Sequence, residues 1–291
     1  MSILDGLNPQ QQAAVTHSGT PLLVIAGAGS GKTRVLTRRI AYLLGERNVA
    51  PYEVLAITFT NKAANEMKER VIELVGNRAK AMWVSTFHSA CVRILRSDAQ
   101  ALGYSNSFTI YDASDSLRLV TLVMKDMNLD PKKYNARAIA GLISDAKNEL
   151  IGPADFVQNV KNQFDETVAE VYSHYQRRLG SANAMDFDDL IGRSVELFQR
   201  HPEVRAKYRS RFKHILVDEY QDTNHAQYVL IRELVGVGYD GLPQAELCVV
   251  GDADQSIYAF RGANIRNILQ FEADFTDAKT ILLEQNYLIL I

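Results

Sequence analysis

A glycine-rich segment near the amino terminus constrains the fold of this chain more than any other feature. It reads AGAGSGKT and fits the phosphate-binding loop pattern, with alanine in place of the first glycine. An apolar run at residues 22–26 precedes it, and apolar residues with a period near 3.6 follow it from Val35 to Leu44. A buried strand and an amphipathic helix on these two sides favour a phosphate-binding loop over a flexible turn that binds nothing.

The small residues of this loop would let backbone N–H groups close around a phosphate at the amino end of the helix. Lys32 would then reach the β- and γ-phosphates of a nucleotide, and the Thr33 hydroxyl would bind Mg²⁺. The candidate phosphate-binding residues are therefore Ala26, Gly27, Ala28, Gly29, Ser30, Gly31, Lys32 and Thr33.

Two adjacent carboxylates follow another apolar run, at residues 214–217. Without other motifs, two adjacent carboxylates after a strand most often lie at an exposed strand end or cap a helix. Together with the phosphate-binding loop, it predicts a hydrolytic centre in which Asp218 holds the Mg²⁺ shell and Glu219 polarises the attacking water as general base. The long separation between Lys32 and Asp218 also indicates that a segment is inserted between them.

Short apolar runs predict a parallel β-sheet, and thus an α/β fold, interrupted by an all-helical insertion. Near-continuous apolar strands that alternate with helices are typical of a parallel sheet covered on both faces. From residue 91 to residue 211 the strand signal disappears and helical patterns replace it. The predicted strands are residues 22–26, 54–58, 82–86, 214–217, 247–250 and 280–283, and the predicted helices of the insertion are residues 116–127, 136–150, 164–179 and 187–199.

The charge and the cysteine content exclude several classes of protein. With 32 Lys and Arg against 34 Asp and Glu, the net charge of −2 excludes a uniformly basic nucleic-acid coat but not a local basic groove. The two cysteines, Cys91 and Cys248, lie far apart, which argues against a zinc site, an iron–sulfur site and a disulfide scaffold. Because no signal peptide or long apolar run is evident, we expect a soluble cytoplasmic protein without a membrane partner.

A run of basic residues at alternate positions precedes the strand at residues 214–217. Because a spacing of two does not keep side chains on one helical face, a solvated surface is the default interpretation, and contact with a DNA backbone is the alternative. The residues of this run are Arg205, Lys207, Arg209, Arg211 and Lys213.

Two longer motifs resemble signature motifs of superfamily 1 DNA helicases of the UvrD/PcrA/Rep family. They read DEYQDTN at residues 218–224 and GDADQSIY at residues 251–258. Segments at residues 7–15, 58–64 and 85–89 resemble the glutamine motif and the strand-contacting motifs of the same family, whose phosphate-binding loop usually begins with alanine. The resemblance implies a RecA-like motor domain, named 1A, at residues 1–90 and 212–287, and an insertion subdomain, named 1B, at residues 91–211.

The resemblance also implies roles in the use of ATP and Mg²⁺. Gln11 would read the adenine edge, while Arg34 and Tyr287 would stack on the two faces of the ring. Gln255 would sense the γ-phosphate and couple hydrolysis to DNA. The implied catalytic residues are Lys32, Asp218, Glu219 and Gln255, and the implied metal ligands are Thr33 and Asp218.

Single-stranded DNA, and its junctions with duplex, are the partners that the resemblance implies. Base stacking on aromatic rings tolerates any sequence, as a translocating motor requires. Without the resemblance, the favoured interpretation of Phe59 and Phe260 would be core packing. His88 would then be interpreted as a loop histidine that makes no DNA contact. The implied DNA-binding residues are Phe59, Thr60, Asn61, Lys62, Thr86, Phe87, His88, Tyr258, Phe260 and Arg261.

The end of the chain departs from the family pattern. The family continues its fourth motif with Arg-Ser, whereas here four aliphatic residues, 288–291, follow Tyr287. We therefore expect residues 288–291 to be a truncated or non-native tail, the second RecA-like domain to be missing, and this piece to be poor in hydrolysis and unwinding.

The function expected on these grounds is the N-terminal motor half of an ATP-dependent 3′–5′ DNA helicase that acts in DNA repair or replication. Two alternatives stay open at this point. One is the motor subunit of a helicase–nuclease, and the other is a nucleic-acid-binding module without turnover.

Overall fold

The computed structural model describes residues 2–27, 29–236, 241–252 and 271–283. Within them, the chain forms α-helices and parallel β-strands. The helices are α1 (Pro9–Thr16), α2 (Lys32–Gly45), α3 (Asn61–Val75), α4 (Phe87–Asp98), α5 (Ala113–Asp126), α6 (Ala136–Asn148), α7 (Pro153–Val157), α8 (Gln163–Ser181), α9 (Phe187–Arg200), α10 (Pro202–Arg211) and α11 (His225–Val235). The strands are β1 (Leu22–Ala26), β2 (Val54–Thr58), β3 (Trp83–Thr86), β4 (Thr109–Tyr111), β5 (Ala184–Asp186), β6 (His214–Val217), β7 (Glu246–Gly251) and β8 (Lys279–Leu283).

The described residues form two compact units. The first comprises residues from Met1–Ala90, Arg205–Asn224 and Ile231–Ile291, and the second comprises Cys91–Val204 and His225–Leu230. The first unit thus resumes at Arg205, earlier than the expected boundary at residue 212. None of the helices in the described ranges is long and apolar enough to cross a membrane.

A six-stranded sheet forms the centre of the first unit, in the order β3-β2-β6-β7-β1-β8. Every pairing in it is parallel. Each of the six predicted apolar runs is one of these strands, so the predicted α/β fold with a parallel sheet is confirmed. Because all the strands point the same way, the loops that follow them meet along one edge, where ligands of open α/β sheets bind.

Apolar side chains of α2 and α3 pack against this sheet and form the main core of the first unit. On α2 the buried positions Val35, Leu36, Ile40, Leu43 and Leu44 share one face, as their spacing predicts. The strands β1 and β2 are buried along nearly their whole length, which explains why they read as continuous apolar runs rather than as alternating ones.

The second unit is mainly helical, with a core of apolar and aromatic residues from α5, α6 and α8. Side-chain oxygens of Asp112, Asn135, Asn162 and Asp186 cap the amino ends of four of its helices. The unit also contains a two-stranded parallel ladder of β4 and β5, which the prediction of an all-helical insertion did not include. Strands of three residues are too short to produce a period in the sequence.

Part of the basic run before β6 makes contacts inside the first unit, while Lys207 and Lys213 are exposed. Arg205 pairs with Glu233 at 3.0 Å, and the exposed Lys213 pairs with Glu53 at 2.5 Å. Arg209 is only 5% exposed, and its guanidinium donates to the carbonyl oxygens of Leu242 and Pro243, both at 3.2 Å. A solvated surface therefore does not describe Arg209, since its charge lies within the fold.

Candidate functional site

The phosphate-binding loop connects β1 to α2 at the carboxyl edge of the sheet. Gly31, the last residue before the helix, has a φ of 88° and a ψ of 29°, a left-handed conformation that glycine adopts without strain. A Cβ at this position would lie 2.9 Å from Nε2 of Gln11, so the loop also needs glycine for close packing. The Ser30 hydroxyl donates to the Gly27 carbonyl at 2.7 Å and closes the turn, while Ala28 lies outside the described residues.

The amino end of α2 is suited to an anion. Gly31 has no side chain that could cap the helix, and the first turn contains no acidic residue. The backbone N–H groups of this turn and the dipole of a 14-residue helix therefore favour negative charge at this end.

Lys32 extends from the first position of α2 toward the ends of two neighbouring strands. Its Nζ lies 2.8 Å from Oδ2 of Asp252, after β7, and 3.6 Å from Oε2 of Glu219, after β6. Burial alone would lower the pKa of Lys32, but the hydrogen bond with Asp252 and the charge of Glu219 outweigh it and raise the pKa above its ordinary value. The side chain is therefore an ammonium ion held between carboxylates.

Asp218 and Glu219 follow β6 directly, as the apolar run predicts. Asp218 is 6% exposed, and burial together with the charge of Glu219 raises the pKa of its carboxyl to about 6. Glu219 has a φ of 50° and a ψ of 43°, which is uncommon for a residue with a side chain. This turn leaves the Glu219 side chain 38% exposed while that of Asp218 stays buried, so the two carboxylates have different environments.

A magnesium ion fits the chemistry of these residues. A buried carboxylate with a raised pKa, such as that of Asp218, is stabilised in its charged form by a nearby cation. Carboxylate and hydroxyl oxygens, which Asp218 and Thr33 would provide, are ligands that Mg²⁺ prefers. The backbone N–H of Glu219 donates to Oδ1 of Asp218 at 3.0 Å, which orients the carboxylate.

Gln221 and Asp252 are part of this site, although they were not among the candidates selected from the sequence. The Gln221 side chain is buried, donates from Nε2 to Oε2 of Glu219 at 2.8 Å, and accepts the Asp252 N–H at 2.9 Å. Gln221 lies inside the motif at residues 218–224, and Asp252 lies inside the motif at residues 251–258. Their position in those motifs was the available signal.

Gln11 lies against the phosphate-binding loop. Its Nε2 donates to the Ser30 carbonyl at 3.0 Å and its Oε1 accepts the Asn8 N–H at 3.2 Å, in a capping box at the start of α1. Arg39, on α2, holds the other end of α1 by donating to the Ala14 carbonyl at 2.9 Å. Since the Gln11 amide is fully buried and bonded at both ends, adenine recognition by this residue stays a prediction.

Two further candidates for adenine contact are Arg34 and Tyr287. Arg34 is exposed in the first turn of α2, the helix that begins at Lys32. Tyr287, like the γ-phosphate sensor candidate Gln255, lies outside the described residues.

The candidate DNA-binding residues lie at the ends of β2 and β3, which are neighbours in the sheet with Thr58 opposite Thr86. The rings of Phe59 and Phe87 meet edge to face, with centroids 5.9 Å apart. Phe87 is buried, whereas Phe59 is half-buried. His88 follows, and burial lowers its pKa, which favours the neutral imidazole.

Polar candidates surround these rings. The Thr60 hydroxyl accepts the Ala63 N–H at 3.1 Å and caps α3, whose first residues, Asn61 and Lys62, are exposed. Thr86 donates to the Ser89 hydroxyl at 3.0 Å. The structure brings the candidates of residues 59–62 and 86–88 to one part of the carboxyl edge, while Tyr258, Phe260 and Arg261 lie outside the described residues.

The pKa of Asp218 leads to a prediction about stability. Because the folded pKa of about 6 lies above the ordinary value near 3.8, the folded state binds the proton more tightly than the unfolded chain. The cost of the buried charge is therefore present at neutral pH and disappears as the pH falls through 6 toward 4. Asp218→Asn is expected to raise the free energy of unfolding, without nucleotide, by about 2–3 kcal/mol at pH 7 and by much less near pH 4.

Urea titrations of both proteins between pH 4 and 8 measure this difference. Asp277→Asn is the matched control, since Asp277 is an exposed aspartate of the same unit. A constant difference between Asp218→Asn and the unsubstituted protein across this range would contradict the prediction.

Comparison with known proteins agrees with the motifs. The family described as UvrD/REP helicase N-terminal domain matches residues 7–276. The chain is similar to "ATP-dependent DNA helicase UvrD1" of Mycobacterium tuberculosis, with 62% identity over 98% of this chain, and to the protein of the same name in Mycobacterium leprae, with 60% identity. It is 54% identical to "ATP-dependent DNA helicase PcrA" of Bacillus subtilis, again over 98% of its length.

The chain spans 38% of the length of each of these relatives. The family match nevertheless covers most of the chain, from the capping box of α1 to the segment that precedes β8. The protein therefore belongs to the UvrD/REP helicase N-terminal domain family.

Proposed function

We propose that this chain is the part of an ATP-dependent DNA helicase that binds ATP with Mg²⁺ and couples its hydrolysis to movement on single-stranded DNA. The observation that carries the proposal is the position of Lys32, 2.8 Å from Asp252 and 3.6 Å from Glu219. Residues that are far apart in the sequence thus meet where a nucleotide phosphate would bind beside an acidic pair.

The nucleotide side follows from the chemistry of the site. The backbone N–H groups at the start of α2 and the Lys32 ammonium would hold the β- and γ-phosphates, while Thr33 and Asp218 would bind Mg²⁺. When bound, Mg²⁺ would neutralise charge that develops on the phosphates. Glu219, more exposed than Asp218, would accept a proton from the attacking water.

The DNA side follows from the half-buried ring of Phe59. Phe87 fixes this ring from the side by edge-to-face packing, so a base could stack on it at little cost in side-chain entropy. Lys62, whose side chain is 87% exposed, would add an electrostatic contact to a phosphate of the strand.

In a protein of the relatives' full length, these two sides would support 3′–5′ translocation and strand separation in DNA repair or replication. A motor subunit of a helicase–nuclease would use the same site. The alternative function is a module that binds nucleic acid without ATP hydrolysis. The turn at Glu219 gives Asp218 and Glu219 different environments, which favours hydrolysis over binding alone.

Stimulation of ATP hydrolysis by oligo-dT tests the proposal, in a protein of the relatives' length that begins with this chain. Phe59→Ala is expected to weaken oligo-dT binding by about 1–3 kcal/mol and to reduce the stimulation accordingly. Tyr52→Ala is the matched control, because Tyr52 is a 54% exposed aromatic residue that precedes β2, whereas Phe59 follows it.

Two results would contradict the proposal. If oligo-dT does not stimulate ATP hydrolysis, the proposed coupling between nucleotide hydrolysis and DNA is wrong. If Phe59→Ala, Tyr52→Ala and the unsubstituted protein bind oligo-dT equally, Phe59 does not contact DNA at this part of the sheet edge.

A further inference from the structure

Lys32 and three other residues form a closed ring of polar contacts at the start of α2. Lys32 contacts the carboxylates of Asp252 and Glu219, and Gln221 connects the residues that carry them. The Gln221 amide donates to Glu219 at 2.8 Å and accepts the backbone N–H of Asp252 at 2.9 Å. We call these four residues the Lys32 ring.

The ring occupies the position where a phosphate would approach the start of α2. Asp252 is 1% exposed, so its carboxylate depends on protein partners for its stabilisation, and Lys32 provides a charge-assisted hydrogen bond. An incoming phosphate needs the same ammonium. A phosphate and the Asp252 carboxylate are therefore competitors for Lys32.

Gln221 links the competition for Lys32 to Glu219, the residue that follows Asp218 at the end of β6. Its amide joins the backbone after β7 to the carboxylate after β6, and a Cβ on Gly251 would lie 3.3 Å from its Oε1, so the amide is closely packed. A shift of Asp252 away from Lys32 therefore acts on the same amide that holds Glu219.

We propose that Asp252 takes the place of a phosphate on Lys32 before nucleotide binds, and that binding of a nucleotide polyphosphate displaces it, a change that Gln221 transmits to Glu219. The inference rests on the proposed function, since it assigns the ligand of the ring to the same nucleotide site. It makes Asp252 and Gln221 positioning residues, because they act through Lys32 and Glu219.

The affinity of the chain for ATP, ADP and AMP tests the proposal. Asp252→Asn keeps the size of the side chain and removes its charge, so a phosphate would compete with a weaker partner. We expect ATP and ADP to bind roughly tenfold more tightly to this variant, as the replacement of a charge-assisted hydrogen bond by a neutral one implies. AMP, which lacks the phosphates that reach Lys32, is expected to bind with nearly unchanged affinity.

Asp277→Asn is the matched control for the loss of one negative charge. Asp277 is an exposed aspartate of the same unit, and its replacement is expected to leave the ATP affinity within about twofold of the unsubstituted value. Fluorescent ATP and ADP analogues, titrated with Mg²⁺ and separately with EDTA, measure these affinities. Thermal unfolding identifies any variant that has lost its fold.

A second measurement needs no nucleotide. The rate at which an amine-specific reagent modifies Lys32, followed by mass spectrometry, is expected to increase in Asp252→Asn, because the ring holds the amine less tightly. Gln221→Met, which has a similar length but can neither donate to Glu219 nor accept from Asp252, is expected to raise this rate as well, and Asp277→Asn is not.

The outcomes separate the two proposals. If the unsubstituted chain does not bind ATP, the proposed function and the displacement of Asp252 are both overturned. If it binds ATP, and a folded Asp252→Asn variant binds ATP equally or more weakly, only the displacement is overturned. An unchanged rate of Lys32 modification in that variant would also overturn it.

Discussion

Lys32→Ala is expected to weaken ATP binding by about 10- to 100-fold and to reduce ATP hydrolysis by at least about 10²-fold. The ammonium lies at the start of α2 and is held charged by Asp252 and Glu219, so it meets a phosphate without a change of protonation. Its charge would oppose the charge that develops on the transferred phosphate. Nucleotide titration of this chain, and hydrolysis rates in a protein of the relatives' length, measure the two effects.

Removal of Lys32 also leaves Asp252 without its cation, and the variant is therefore expected to be less stable as well. Circular dichroism at the assay temperature shows whether it is folded. Lys80→Ala is the matched control, because Lys80 is an exposed lysine of the same unit and its replacement is expected to leave binding and hydrolysis unchanged. Hydrolysis at the unsubstituted rate by a folded Lys32→Ala protein would contradict the assignment of the site.

The inner strands of the central sheet could be predicted because burial on both faces makes each one a continuous apolar run. β1, β2 and β6 begin and end where the runs at residues 22–26, 54–58 and 214–217 predict. The ladder of β4 and β5 could not be predicted, since three residues carry no period and the pairing joins Thr109 to Ala184 across most of the second unit.

The centre of the candidate site could also be predicted, because Lys32, Asp218 and Glu219 each have a local signature. Their mutual contacts depend on which strands are neighbours, and the sequence does not contain the order in which β6, β7 and β1 lie side by side. Gln221 belongs to the site only because that order places the end of β7 beside its own turn. Asp252 meets Lys32 for the same reason.

We expect a buried ion-pair network in the second unit to contribute strongly to the free energy of unfolding of that unit. Lys147 Nζ lies 2.6 Å from Asp186 Oδ2 and 3.0 Å from Asp189 Oδ1, and each of the three side chains is less than a tenth exposed. The Tyr175 hydroxyl donates to the same oxygen of Asp186 at 2.7 Å. Asp186 also caps α9, so the network joins α6, α8, β5 and α9.

Burial alone would lower the pKa of Lys147, but the charges of Asp189 and Asp186 outweigh it and raise the pKa, so Lys147 is charged. Lys147→Met would leave the buried carboxylate of Asp186 without its cation, and that of Asp189 with only Arg193, whose Nε lies 3.9 Å away. The variant is expected to destabilise the second unit by about 3–5 kcal/mol. Hydrogen exchange measured by mass spectrometry is expected to become faster in residues 136–148 and 184–200. This method follows the second unit separately, which a single unfolding transition of two units does not.

Lys213→Met is the control for the loss of an ion pair of similar length, because Lys213 pairs with Glu53 at 2.5 Å while its side chain is 61% exposed. Water screens that pair, so its loss is expected to change hydrogen exchange little. A Lys147→Met protein that also carries Asp186→Asn and Asp189→Asn is expected to recover part of the lost stability, because no buried charge then lacks a partner. Equal exchange rates in Lys147→Met and Lys213→Met would show that burial does not make this network important for the fold.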